Sequence, residues 1–174
     1  MAKCHGGIMN KDNIIKQALS LIGCDYCGQN IDTVKLIYDM AVDRVLSDLN
    51  PKFANSFTEL VLTGNIPRHP QYLYEYEYPK DCLIANEIIK YCEHQDGSFI
   101  VCNNFKDEVV IATNITPAVM RYTKKVKDEF YFTSEFTRCL VIYICSIICY
   151  PLTKDSSASD FYIKLYDKLV EKHK

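Results

Sequence analysis

Ile14, Ile15, Ala18, Leu19 and Ile22 recur at the spacing of one helix face behind a capping residue at Asn10 or Asp12, and Gly23 ends the run. The segment Cys24-Asp25-Tyr26-Cys27-Gly28-Gln29-Asn30 is rich in turn formers. Asn30 or Asp32 then caps a second predicted helix, with Val34, Ile37, Tyr38, Ala41, Val45 and Leu49 on one face and Asp39, Asp43, Arg44 and Asp48 on the wet side. Asn50-Pro51 closes it, since proline cannot supply the next backbone donor and pushes the residue before it out of the helical region. Two helices with a short connection form an antiparallel hairpin.

The period then changes to two. Tyr72, Tyr74, Tyr76 and Tyr78 alternate with Leu73, Glu75 and Glu77, which puts the rings on one face of a strand and both carboxylates on a wet face opposite. Pro79-Lys80-Asp81 turns the chain, Leu83 to Tyr91 reads as a strand with a helical alternative, and Gln95-Asp96-Gly97-Ser98 as a hairpin turn. Phe99 to Cys102, Val109 to Ala112 and Val119 to Val126 complete an antiparallel meander, because no connection is long enough for a crossover helix.

Helical spacing returns with Phe132, Phe136, Cys139, Leu140, Tyr143, Ile144, Ile147 and Ile148, in a segment starting at Thr133 or Ser134 and ending at Pro151. It is apolar on nearly every side, so it is central to the helical layer or covered by another subunit. Its longest apolar stretch, Cys139 to Leu152, is shorter than the roughly 20 residues of a membrane span, so no membrane partner is expected. Ser156-Ser157-Ala158-Ser159 opens a last amphipathic helix with Phe161, Leu165 and Leu169 inward and Lys164, Lys168 and Lys172 outward. The expected fold class is α+β: an N-terminal helical hairpin and two C-terminal helices form a bundle around a central antiparallel β meander. All of it is one domain spanning residues 1–174, with helical parts at 10–50 and 130–174 and an inserted β part at 56–127.

Composition narrows the function. The 174 residues are 48% hydrophobic and 24% charged, ordinary for a globular chain, and 20 basic against 22 acidic residues give a net charge of −2, with no field for holding polyphosphate. The chain carries nine cysteines, an odd number, and no apolar leader, which points to a reducing cytosol and to thiols acting as small hydrophobes. Thirteen Tyr and no Trp direct attention to contact surfaces.

Catalytic signals are weak. Cys24-x-x-Cys27 has the spacing of half a zinc site, which Cys4 and His5 would complete, but two ligands do not make a site and ordinary loop cysteines explain the pattern. His5, His69, His94 and His173 fall in no nucleophile, base or metal pattern. Glu75 and Glu77 share a face as an acid/base pair would, yet a wet face opposite a buried one explains them more simply. No catalytic residue, metal or cofactor is therefore expected. The candidate interface residues are Tyr72, Tyr74, Tyr76 and Tyr78, which either roof the chain's own core or fill a pocket on a neighbour, and Lys164, Lys168 and Lys172, either solvated or docked on an acidic partner.

The order of these features resembles the tail tubular protein A, or head-to-tail adaptor, family of short-tailed phages and their crAss-like relatives. Ala18-Leu19-Ser20-Leu21-Ile22-Gly23 looks like the family's first helix and its terminating glycine, and Ile31 to Leu49 like the second. Phe53-Ala54 stands near its aromatic-rich segment, here without Trp. Tyr76-Glu77-Tyr78-Pro79-Lys80-Asp81-Cys82-Leu83 is similar to the strand and turn leading into its sheet, Gly97-Ser98-Phe99-Ile100 to the next hairpin, and the Asp128 to Thr153 helix with the final helix to its closing pair.

The resemblance implies a structural virion protein, not an enzyme. It would form a dodecameric ring below the portal protein, join the head to the tail nozzle or next ring, and enclose the channel through which genomic DNA passes without specific binding. Assembly would take place in the bacterial host cytoplasm. A near-neutral, slightly acidic chain suits such a conduit, because a basic bore would hold phosphates; acidic groups such as Glu75 or Glu77 are expected nearer the bore than lysines. The final helix or the Asn50 to Gln71 loop would contact the portal or the next ring, and deleting Ser159 to Lys174 is expected to impair docking while sparing the fold. The alternative is a non-viral or regulatory protein–protein interaction module without catalytic activity.

Overall fold

Polar caps and apolar faces set the helices of the computed structural model, which describes residues 10–90 and 97–173. The Asn10 side chain accepts from the Asn13 amide at 2.9 Å, so α1 (Lys11–Leu21) starts at the first of the two expected caps. Gly23 holds φ +71°, a left-handed position cheap only for glycine, and the chain leaves α1 there. α2 (Gly28–Leu49) begins before either expected cap. Cys27 is its N-cap, and the Asn30 amide donates backwards to the Asp25 carbonyl at 2.9 Å, closing the preceding turn instead of capping the helix. Asn50, left-handed, and Pro51 end α2 as expected.

α3 (Ser134–Thr153) starts behind Thr133, whose hydroxyl accepts from the Phe136 amide at 3.2 Å. The expected stop at Pro151 is corrected to Thr153. Proline forfeits only its own donor, and the helix closes beyond it through the left-handed Lys154, whose amide donates to the Tyr150 carbonyl at 2.9 Å. α3 packs against α1, α2 and α4 (Ser156–Glu171), and Phe136, Leu140, Ile144, Cys145 and Ile148 are among its buried residues. The apolar segment is thus central to the helical layer. By length and composition alone α3 would also be long and apolar enough to cross a membrane.

α4 departs from its expected face. Asp155, not a serine, caps it by accepting from the Ala158 amide at 3.0 Å. Phe161 is 59% exposed, while Tyr166 is buried and Tyr162 half-buried. The inner seam has polar acceptors that a tyrosine can reach and a phenylalanine cannot: Tyr162 donates to the Leu21 carbonyl at 2.8 Å and Tyr166 to Asp48 Oδ2 at 2.8 Å. A further aromatic cluster joins Phe53, Phe132 and Phe136, with Phe132 and Phe136 rings 4.6 Å apart and Phe53 edge-on to Phe136 at 5.2 Å.

The six strands are β1 (Asn55–Glu59), β2 (Tyr74–Glu77), β3 (Cys82–Ile88), β4 (Phe99–Asn103), β5 (Val109–Thr113) and β6 (Val119–Lys124). All pairings are antiparallel, but the meander is corrected to two three-stranded sheets, β1-β6-β3 and β2-β5-β4. A single flat sheet would bury one face against nothing; two sheets enclose a core of their own, in which Tyr76 and Ile111 of one meet Ile88, Met120 and Tyr122 of the other. Pro79, without a donor for a ladder, marks the corner at which the chain passes from one sheet to the other, with the Cys82 amide closing a turn on the Pro79 carbonyl at 3.0 Å. Glu87 opposite Arg121, at 2.9 Å, matches the β3–β6 register. β1 lies within what the sequence reads as a loop, and the Gln95 and Asp96 part of the expected hairpin turn lies outside the described residues.

The single expected domain resolves into two compact units, a helical one (1–53 and 126–174) and a continuous β one (54–125), because helices and strands each close a core of their own. Two substitutions check the helical packing. Leu140→Ala, in the fully buried centre of α3, should lower the unfolding free energy by about 3 kcal/mol in urea titration. Phe161→Ala should change it by less than about 0.5 kcal/mol.

Candidate functional site

A candidate site lies in the β unit on the outer face of the β2-β5-β4 sheet. The register places Glu75 beside Ala112 and Ala112 beside Ile100, opposite the face that Tyr76 and Ile111 turn to the core. Residues 61–63 run along the free edge of β2: the Thr63 amide donates to the Glu75 carbonyl at 3.0 Å and the Glu77 amide to the Val61 carbonyl at 2.8 Å. Gly64, at φ +73°, then turns the chain back. Thr63 Oγ1 and Asn65 Nδ2 both donate to Glu75 Oε1, at 2.9 and 3.2 Å.

Glu75 is thereby 1% exposed, and its second oxygen, Oε2, is buried with no hydrogen-bond partner among the described residues. A pocket of about 300 Å³ adjoins it, lined by Asn65, Ile66, Glu75, Asn104, Phe105 and Lys106. Asn104 is held in its own turn: its Oδ1 accepts from the Lys106 and Glu108 amides and its Nδ2 donates to Glu108. Ile66 and Phe105 stand 84% and 75% exposed, and the Arg68 guanidinium lies 5.8 Å from the Phe105 ring centre. Apolar walls around one acceptor make a recognition geometry.

Of the expected residues, Glu75 is placed elsewhere than the sequence reading has it. Glu75 is withdrawn from the wet face, so it cannot line a solvent-filled bore; Glu77 stays exposed. Tyr76 belongs to the β core and donates to the Ile115 carbonyl at 2.9 Å, Tyr74 and Tyr78 pack half-buried against the same core, and Tyr72 is buried beside His69. The stripe therefore roofs its own unit. Lys164, Lys168 and Lys172 are exposed. His69 and His173 are exposed too, while Cys4, His5 and His94 lie outside the described residues.

Cys24 is half-buried and Cys27 exposed, and no group of three or more potential metal ligands occurs among the described residues. Burial, then the neighbouring Cys149, Asp25 and Cys27, raises the Cys24 pKa, the opposite of an activated thiol. In the helical unit, burial and then Glu129, to which its hydroxyl donates at 3.1 Å, raise the Tyr38 pKa. Burial foremost pushes the Cys145 thiol up to about 12.

The sequence reading missed the partners of Glu75. Leu60-Val61-Leu62 ahead of Thr63-Gly64-Asn65 is the available signal, an apolar run followed by turn formers. No protein-family model matches the sequence, and no curated protein matches it.

Cys145 gives a signed pH dependence. Its thiol ionises near 9.0 when unfolded and near 12 when folded, so rising pH favours the unfolded state across that window. Stability should fall there by up to about 1.4 kcal/mol per pH unit from this group. Urea unfolding at pH about 8 and about 10 should show a steeper loss for the wild type than for Cys145→Ala; equal slopes would contradict it.

Proposed function

We propose that the chain is a structural subunit of a phage virion, forming a ring below the portal that joins capsid to tail and surrounds the exit channel for DNA. The helical hairpin, inserted β unit and closing helical pair support this reading through their resemblance to head-to-tail adaptors. The observation that carries it is a set of large apolar side chains left in water on the helical unit. Leu36, 86% exposed, and Met40 stand one turn apart on α2, and Phe130 and Tyr131 are exposed just before α3. A closed ring joins unlike faces of successive subunits, so each copy needs two contact surfaces, and these pairs are candidates for them.

In this reading the chain is not an enzyme. It meets the portal on one side and the tail nozzle or next ring on the other, and DNA passes without specific contacts. Lys164, Lys168 and Lys172 on α4 are the candidate docking face towards an acidic partner surface. Deleting Ser159 to Lys174, as the sequence alone suggests, would also remove buried Tyr166 and both tyrosine hydrogen bonds of α4. Charge reversal leaves those in place.

Mixed with the portal ring of the same genome, the protein should decorate it symmetrically in electron micrographs. Lys164→Glu/Lys168→Glu/Lys172→Glu should reduce decoration, and Leu36→Asp/Met40→Asp should prevent ring closure, while both variants keep wild-type circular dichroism. A protein that stays monomeric and leaves the portal bare overturns the proposal.

A further inference from the structure

We propose that the Glu75 pocket is a binding site for an alkylammonium or alkylguanidinium group, seated with its head on Glu75 Oε2 and its carbon stem between Ile66 and Phe105. The inference does not rest on the ring reading. Two donors, Thr63 and Asn65, fix the carboxyl through Oε1 alone, so its orientation is set while Oε2 keeps its whole accepting capacity. Asn104, the other buried polar group of the pocket, is held within its own turn, its Oδ1 accepting from two amides and its Nδ2 donating to Glu108.

A buried carboxyl oxygen is best answered by a charged donor, whose hydrogen bonds are shorter and stronger than neutral ones. The walls favour the same class. Ile66 and Phe105 offer apolar surface for methylenes, and an aromatic face attracts a cation. That Arg68 already places its guanidinium over Phe105 shows that a planar cation fits this ring. A volume of about 300 Å³ is at the low end for ligand sites, enough for a short alkyl cation or one basic side chain. Such a group comes either from a free small molecule or from an Arg or Lys of a second copy of the chain.

The test titrates butylguanidine, and pentanamide as its uncharged counterpart, into the full-length protein while amide resonances are followed by NMR. Butylguanidine should shift the amides of Asn65, Ile66, Phe105 and Lys106 saturably, with pentanamide at least ~10-fold weaker. Glu75→Gln should weaken butylguanidine at least ~10-fold. Phe105→Ala, on an exposed ring, should weaken it about 3-fold and keeps the test decisive if the Glu75 variant does not fold. Sedimentation with and without butylguanidine separates the sources: dissociation of an oligomer identifies a side chain from a second copy, and an unchanged mass identifies a free ligand. No saturable shift at ~50 mM, equal binding of pentanamide, or undiminished binding by Glu75→Gln overturns the proposal. So does binding that appears only in Arg68→Ala, which would mean that the chain's own guanidinium occupies the pocket.

Discussion

A helix that is apolar on nearly every side has to be covered, and that requirement organises the helical unit. α1, α2 and α4 all pack on α3. Its polar atoms are mostly turned back on the backbone: Ser146 donates to the Tyr143 carbonyl at 2.7 Å, Thr153 to the Cys149 carbonyl at 2.7 Å, and the Cys145 thiol to the Ala18 carbonyl at 3.4 Å. These groups are satisfied without interrupting the packing, whereas the buried Thr137 hydroxyl of the same helix has no partner among the described residues. Directional contacts collect at the perimeter, where Tyr38, Tyr162 and Tyr166 each bury a ring and extend a hydroxyl to an acceptor on another segment.

The β unit solves the same problem differently. Its two sheets cover each other on one side, and a short folded-back segment covers part of the outer side at Glu75. An acceptor left unmade in such a place costs about 1–3 kcal/mol. The cost is confined to one oxygen, because the other accepts from both Thr63 and Asn65. Asn55 Oδ1 and Thr137 Oγ1 are likewise buried without a partner among the described residues, and what distinguishes Glu75 is the cavity with exposed apolar walls beside it. Thr113, buried as deeply, donates to the Ser98 carbonyl at 3.0 Å.

The sequence made the helices legible wherever one face is apolar and the ends carry turn chemistry: Asn10, Gly23, Asn50 and Thr133 all act as read. It misplaced what depends on a distant partner. Phe161 looks like a core residue at helical spacing, but the acceptors at Leu21 and Asp48, far away in the chain, select tyrosines for the seam. Strict alternation put Glu75 in water, since the residues that roof it come from a separate segment. The pairing of β3 with β6 instead of its sequence neighbours was invisible for the same reason: alternation fixes which face a residue takes and carries no information about which strand lies alongside. For the tyrosine stripe, alternation showed a shared face but left open whether it roofs the chain's own core or meets a neighbour.

The helical unit draws on both ends of the chain, with a continuous β unit between them. During synthesis α1 and α2 emerge with Ile14, Leu19, Val45 and Leu46, all buried in the finished unit, before α3, on which both helices pack, has been made. Residues 54–125 hold the six described strands and can close before α3 has left the ribosome. The α1–α2 pair is thus a half-built socket until α3 arrives. How long that apolar face stays open is set by the time needed to translate the β unit and α3.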